Sequence, residues 1–124
     1  MEYKFSSDKP IYMQLMDTFI QAIASGELAG GSKLDSVRDL AVQAKVNPNT
    51  MQKALTELER MELIRTERTS GRFITDDEQK INSMKKELAE KEIKTFTTKM
   101  SSIGFSGQET ISLIKEFYSE QNSI

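Results

Sequence analysis

Apolar residues recur at helical spacing over Pro10–Ser25, where Ile11, Leu15, Phe19, Ala22 and Ile23 make one face. Pro10 suits the first helical position, whose N–H would be unpaired anyway, and Gly26 stands just past the end, where a left-handed residue is wanted. The stretch "GELAGGSKL" reads as a loop, with Leu28 and Leu34 as plugs into a core. A second helix is predicted in "DSVRDLAVQA". Ser36 and Asp39 have capping-box spacing, with Asp in place of the usual Glu or Gln, and Val37, Leu40, Ala41 and Ala44 form the buried side. After a tight connection at Lys45-Val46, Asn47 can N-cap a third helix, with Pro48 in its first position. Met51, Ala54, Leu55 and Leu58 are its inner face, and it runs to about Met61.

The period then changes from helical to alternating. "LIRTERTSGRFIT" (63–75) holds two β-prone segments, Ile64 to Glu67 and Arg72 to Thr75, around a turn at Thr69-Ser70-Gly71. Two short helices joined by a tight turn match a helix-turn-helix, and the hairpin after them makes it winged. Asp76-Asp77-Glu78 marks a charge shift and the start of another helix. Its apolar stripe continues through Met84, Leu88, Ile93, Phe96, Met100 and Ile103, with a slip at Leu88-Ala89, and Gly104 ends it. Ser106 and Glu109 repeat the capping-box spacing ahead of a last helix carrying Ile111, Ile114, Phe117 and Tyr118. The predicted fold is mainly α with a small β-hairpin: a winged helix-turn-helix domain over 1–75 and a C-terminal two-helix dimerisation tail over 76–124. Two helices cannot cover that much apolar surface by themselves. A matching tail from a second chain can, across a two-fold axis, so these ten tail residues are the expected homodimer interface. The alternative is a tail folded back on its own winged domain.

Composition narrows the chemistry. The chain has neither cysteine nor histidine, which excludes disulfides, Cys or His metal sites and nucleophile–histidine catalysis. Its carboxylates sit among basic residues on helical spacings and read as solvated faces, so no enzyme and no cofactor is expected. There is neither an apolar run of bilayer length nor a signal-peptide pattern, so no membrane partner and a cytoplasmic location are expected. The net charge is −2, and residues 1–75 hold ten Lys+Arg against ten Asp+Glu. A nucleic-acid partner must therefore be argued from local patches.

One such patch surrounds the third helix. In a helix-turn-helix the second helix enters the DNA major groove by its N-terminal residues. Asn47, Asn49, Thr50, Gln52 and Lys53 lie off the apolar face, and residues 45–56 contain no acid. Asn and Gln can pair in bidentate fashion with adenine, Thr can meet a phosphate or a thymine methyl, and Lys45 and Lys53 add charge for the backbone. The plainer alternative is an N-cap followed by a solvated face. A neutral winged helix used for protein interaction is the rival to a DNA-binding role.

The pieces "PIYMQL" (10–15), "SGEL" (25–28), "LDSVRDLA" (34–41), "VNPNTMQKALTELE" (46–59), "LI" (63–64) and "SGRFI" (70–74), in this order, resemble the GntR family of winged helix-turn-helix regulators. The short helical tail is similar to that of the YtrA-like subfamily, whose members dimerise through it. The resemblance implies a dimeric, sequence-specific regulator of double-stranded DNA, a repressor at an imperfect palindrome, with a transporter operon as its target. The tail is too short to hold the separate ligand-binding domains that larger GntR-like proteins carry, and a small-molecule effector is left unknown. The resemblance makes Arg38 a base-reading or phosphate-clamping residue, with a salt bridge to Asp35 or Asp39 as the alternative. It places Lys33 and Ser36 beside the DNA, and Arg68, Ser70, Gly71 and Arg72 at a wing tip near the minor groove. The chain departs from the family pattern at Gly30 and Asp35, which stand for prolines, and at Lys45, Glu62 and Thr69, which stand for glycines.

Overall fold

The computed structural model describes residues 1–122. Its elements are α1 (Ile11–Ser25), α2 (Val37–Ala44), α3 (Pro48–Arg60), β1 (Ile64–Glu67), β2 (Gly71–Ile74), α4 (Glu78–Ser102) and α5 (Gly107–Asn122). They form the expected winged helix-turn-helix followed by a helical region. The chain divides into two compact units, Met1–Met84 and a second that starts at Lys85.

The first unit is organised around α3, which packs on α1, α2 and β1. Met51, Ala54, Leu55 and Leu58 are fully buried, against Leu15, Phe19 and Ile23 of α1, Leu40, Ala41 and Ala44 of α2, and Leu63, Ile64 and Ile74 at the hairpin base. Each of the larger side chains contributes roughly 1.5–3 kcal/mol by leaving water. Leu34 is buried as read from the sequence, and Leu28 is half-buried against the same cluster. The unit reaches past residue 75 because Thr75 is itself buried and the first turns of α4 continue the core. Ile81 and Met84 pack on it, and Lys80 Nζ lies 3.0 Å from Glu62 Oε2.

The helix ends follow the local signals. Pro10 stands one residue outside α1, as its N-cap, and its carbonyl accepts from the Met13 and Gln14 N–H groups. Gly26 closes α1 in the left-handed region. Ser36 Oγ accepts from the Asp39 N–H at 3.1 Å, and Asn47 Oδ1 from the Asn49 N–H at 2.7 Å. Lys45 (φ 58°) and Glu62 (φ 64°) are left-handed without being glycine. Each lets the next N–H turn back onto the helix, Val46 to the Ala41 carbonyl and Leu63 to the Leu58 carbonyl, both at 3.0 Å.

The hairpin pairs Ile64 with Ile74, Arg65 with Phe73, Thr66 with Arg72 and Glu67 with Gly71. Its outer edge is not bare. The Leu34 N–H donates to the Arg72 carbonyl at 2.9 Å and the Ile74 N–H to the Ser32 carbonyl at 2.8 Å, so residues 32–34 form a short third rung. The sequence pattern reads this stretch as loop. An arm formed by residues 1–10 lies on α1, held by the buried amide of Gln14, which bonds the Ser6 N–H and the carbonyls of Ser6 and Lys9. Tyr3 packs edge-on to Phe19. Its hydroxyl is buried with no hydrogen-bond partner among the described residues. Burial, with help from Asp35 and Glu27, pushes its pKa above the ordinary 10.0.

In the second unit Gly104 (φ 99°) turns the chain, and a reciprocal capping box starts α5: the Ser106 N–H donates to Glu109 Oε1 at 3.0 Å and the Glu109 N–H to Ser106 Oγ at 3.1 Å. The bonds from Ser106, its backbone N–H foremost, hold the Glu109 carboxyl below its usual value.

Two stability predictions follow from these ends. Tyr3→Phe removes an orphaned hydroxyl and should stabilise the fold by about 1 kcal/mol. Because the raised pKa penalises ionisation in the folded state, the unmutated protein should lose stability as pH rises above 10.0, and the variant should lose less. Thermal melts of both proteins across that range check this. Lys45→Gly relieves a left-handed backbone that costs about 1 kcal/mol, and should raise the melting temperature. A fall in melting temperature contradicts it.

Candidate nucleic-acid interface

The N-terminus of α2, the α2–α3 turn and the first turns of α3 present the predicted polar residues to solvent. Ser36 is spent partly as a cap. Arg38 is exposed, and among the described residues it makes no ion pair with Asp35 or Asp39. Asp35 instead accepts from Gln43 Nε2 at 2.9 Å. On α3, Asn47 uses its side-chain oxygen as a cap, Asn49 is exposed, Thr50 is half-buried, and Gln52 donates to the Thr56 hydroxyl at 3.2 Å. The Lys53 ammonium lies 4.0 Å from the centre of the Tyr12 ring, a cation–π contact that leaves the charge unneutralised.

The wing joins this surface through a groove of about 670 Å³, in which the structure brings together Lys33, Ser36, Ser70, Gly71 and Arg72. Gly71 (φ 107°) is favoured there because its backbone is left-handed, and the Lys33 side chain lies over it. Arg68 stands exposed at the tip, in the turn formed by Arg68, Thr69 and Ser70.

Arg72 is placed differently from the expectation of an exposed wing-tip cation. It pairs with Thr66 on the face that carries Ile64 and Ile74, and its Nε is buried, 3.6 Å from Glu59 Oε1 of α3. The signal was available: in a strand, residues two apart share a face, and Ile74 points to the core. The cation on the opposite face is Arg65, which lies over the Phe73 ring and pairs with Glu67.

Charge pairing sorts the cations of the first unit. Lys4, Lys9, Arg60, Arg65, Arg72 and Lys80 each have a carboxylate partner. Lys33, Arg38, Lys45, Lys53 and Arg68 have none among the described residues. All five unpaired cations belong to the loop before α2, to α2, to the turn, to the first half of α3 or to the wing tip. Asp35 and Asp39 line the same groove without a cation partner among the described residues, so the five unpaired cations outnumber the unpaired acids on the elements that a helix-turn-helix presents to DNA.

In the second unit an apolar groove of about 620 Å³ between α4 and α5 gathers Ile93, Phe96, Met100, Ile114, Phe117 and Tyr118, together with Leu113 and Glu92. Leu113, four residues before Phe117, is missing from the sequence-derived set. Ile103 and Ile111 are exposed outside the groove, Leu88 is half-buried, and Met84 packs on the winged core instead.

A winged helix-turn-helix with unpaired cations on its α2–α3 and wing elements is suited to a DNA duplex, and the family comparisons give the class. A family model described as bacterial regulatory proteins, gntR family, matches residues 11–74. The chain is 37% identical to the uncharacterized HTH-type transcriptional regulator YhcF of Bacillus subtilis, over 94% of this chain and 97% of that one. It is 41% identical to the HTH-type transcriptional repressor YtrA of Bacillus subtilis, over 57% of this chain and 55% of that one. A GntR family transcriptional regulator from Listeria monocytogenes superimposes with a TM-score of 0.83 at 36% identity, covering 90% of this chain and 98% of that one. The protein belongs to the gntR family and is a DNA-binding regulator, not an enzyme. No helix among the described residues is long and apolar enough to cross a membrane.

Arg38→Ala should weaken binding to the specific site by about 1–3 kcal/mol and relax discrimination at the base pair it reads. Titration at fixed salt checks it. Unchanged affinity removes Arg38 from the interface.

Proposed function

We propose that the chain acts as a homodimeric, sequence-specific repressor on an imperfect palindromic operator, with a transporter operon as the target that the family resemblance implies. Each protomer presents α3 to a major groove and the hairpin tip to the adjoining minor groove. Arg38, Asn47, Asn49, Thr50 and Gln52 read base edges or fix register, and Lys33, Ser36, Lys53, Arg68, Ser70 and the Gly71 backbone follow the phosphates. The observation that carries this reading is the segregation of the unpaired cations Lys33, Arg38, Lys45, Lys53 and Arg68 onto those elements.

The homodimer rests on the second unit. No residue of α4 is buried, and in α5 only Thr110 is. Phe96, Phe117 and Tyr118 are 41%, 56% and 61% exposed around one apolar groove. A hairpin of two helices with so little covered has no core of its own. A second copy supplies the same apolar surface in self-complementary form and delivers the second half-site at high effective concentration.

Phe117→Asp places a charge in that groove and should give monomers whose winged domain melts as before. Half-site binding should persist weakly, while affinity for the full palindrome falls steeply, on the order of 100-fold. Gel shifts with the protein's own promoter region, comparing full and half sites, read this out. Equal loss on both sites would place the tail outside operator recognition.

A further inference from the structure

Glu59, Thr66 and Arg72 lie on three different elements and meet at one point. Thr66 and Arg72 are directly opposite each other in the hairpin register, and both face α3. The Thr66 hydroxyl donates to Glu59 Oε1, and Arg72 Nε lies 3.6 Å from the same oxygen. The Arg72 side chain is 24% exposed, and its Nε is buried and makes no hydrogen bond, so the ion pair with Glu59 is what faces that nitrogen. Its only carboxylate partner among the described residues is Glu59. Below this level the hairpin is anchored by Ile64 and Ile74, which are buried in the core. Above it stand only Glu67, Gly71 and the exposed turn.

We propose that Glu59 is a positioning residue for the wing: by holding Thr66 and Arg72 it fixes the hairpin tip relative to α3, so that Arg68 and the α3 side chains meet one duplex together. Arg72 then serves DNA binding through Glu59 and does not itself neutralise a phosphate. Beyond the Ile64–Ile74 pair, β2 is backed by the Leu34 N–H bond to the Arg72 carbonyl while β1 is held only across the ladder, so the Glu59 contact at the Thr66–Arg72 rung adds the restraint that ties the tip to α3. Exposed ion pairs are worth little. This one is partly buried, and the Thr66 hydroxyl binds the same Glu59 oxygen, so the three side chains restrain one another. The assignment rests on the reading above in which the wing tip touches DNA.

The test is a mutant cycle on full-length protein with operator DNA, combined with amide hydrogen exchange on the free protein. Glu59→Gln keeps an acceptor for Thr66 and removes the charge that holds Arg72. In this variant, exchange of the hairpin amides should rise while that of the α1–α3 core stays the same. Arg68→Ala should lose about fivefold or more in affinity in the unmutated background and less than about twofold beside Glu59→Gln, a difference beyond the scatter of independent sites. Arg38→Ala should cost the same in both backgrounds. The swapped pair Glu59→Arg with Arg72→Glu should restore part of the Arg68 effect, which a merely destabilised fold would not. Unchanged hairpin exchange overturns the clamp outright. Raised exchange with an equal Arg68→Ala loss in both backgrounds overturns its role in DNA binding. If Arg68→Ala has no effect in the unmutated protein while hairpin exchange still rises with Glu59→Gln, the clamp exists but the wing reading fails, and the proposed role fails with it.

Discussion

The one-sided burial of α3 is the constraint on which the rest depends. Met51, Ala54, Leu55 and Leu58 are fully buried, so rotation of this helix about its axis would expose four core residues at once. At roughly 1.5–3 kcal/mol for each large side chain, no surface interaction in the molecule could compensate. Fixing that face fixes the other. Asn49, Gln52 and Lys53 have no course but outward, and the Asn47 cap with Pro48 behind it starts the helix at one residue. The polar face of α3 is thus what remains of a packing problem solved from the opposite side.

Electrostatics then sharpens what packing has placed. With a net charge of −2, the protein has no global field to draw a polyanion. In the first unit, cations are paired with carboxylates away from the α2–α3 turn and the wing tip, and unpaired on those elements. Asp17, Glu57, Glu59, Glu62 and Glu67 neutralise Lys9, Arg60, Arg72, Lys80 and Arg65, while Asp35 accepts a hydrogen bond from Gln43. The cost appears in the backbone. Lys45 occupies a left-handed position that glycine would fill without strain, and it adds a charge at the turn between α2 and α3.

What the sequence made legible is what is local. Caps at Ser36, Asn47 and Ser106, stops at Gly26 and Gly104, and the helical stripes of α1 to α3 depend on residues within a few positions of one another, and the structure shows each of them. What escaped depends on pairing across the chain. Residues 32–34 join β2 beside the buried Leu34, and no alternation announces them in "GGSKL". Arg72 looks like a wing-tip cation in "SGRFI" until the register puts it on the face of Ile74. Met84 continues the tail's stripe by spacing, yet it lies in the turns of α4 that finish the winged core, and Leu113 falls off the stripe chosen for α5. The resemblance in "VNPNTMQKALTELE" identified the family, but it does not say which of those side chains are already engaged within the protein.

Amide chemical-shift mapping of the full chain on its operator tests the central claim most directly, because it reports every position at once. The shifts should concentrate at Lys33, Ser36 and Arg38, across residues 45–53, and at the hairpin tip from Arg68 to Gly71, with the opposite side of α1 unmoved. Shifts confined to residues 85–122, or none at all with promoter DNA in excess, would contradict the assignment of the α2–α3–wing surface as the face that reads DNA.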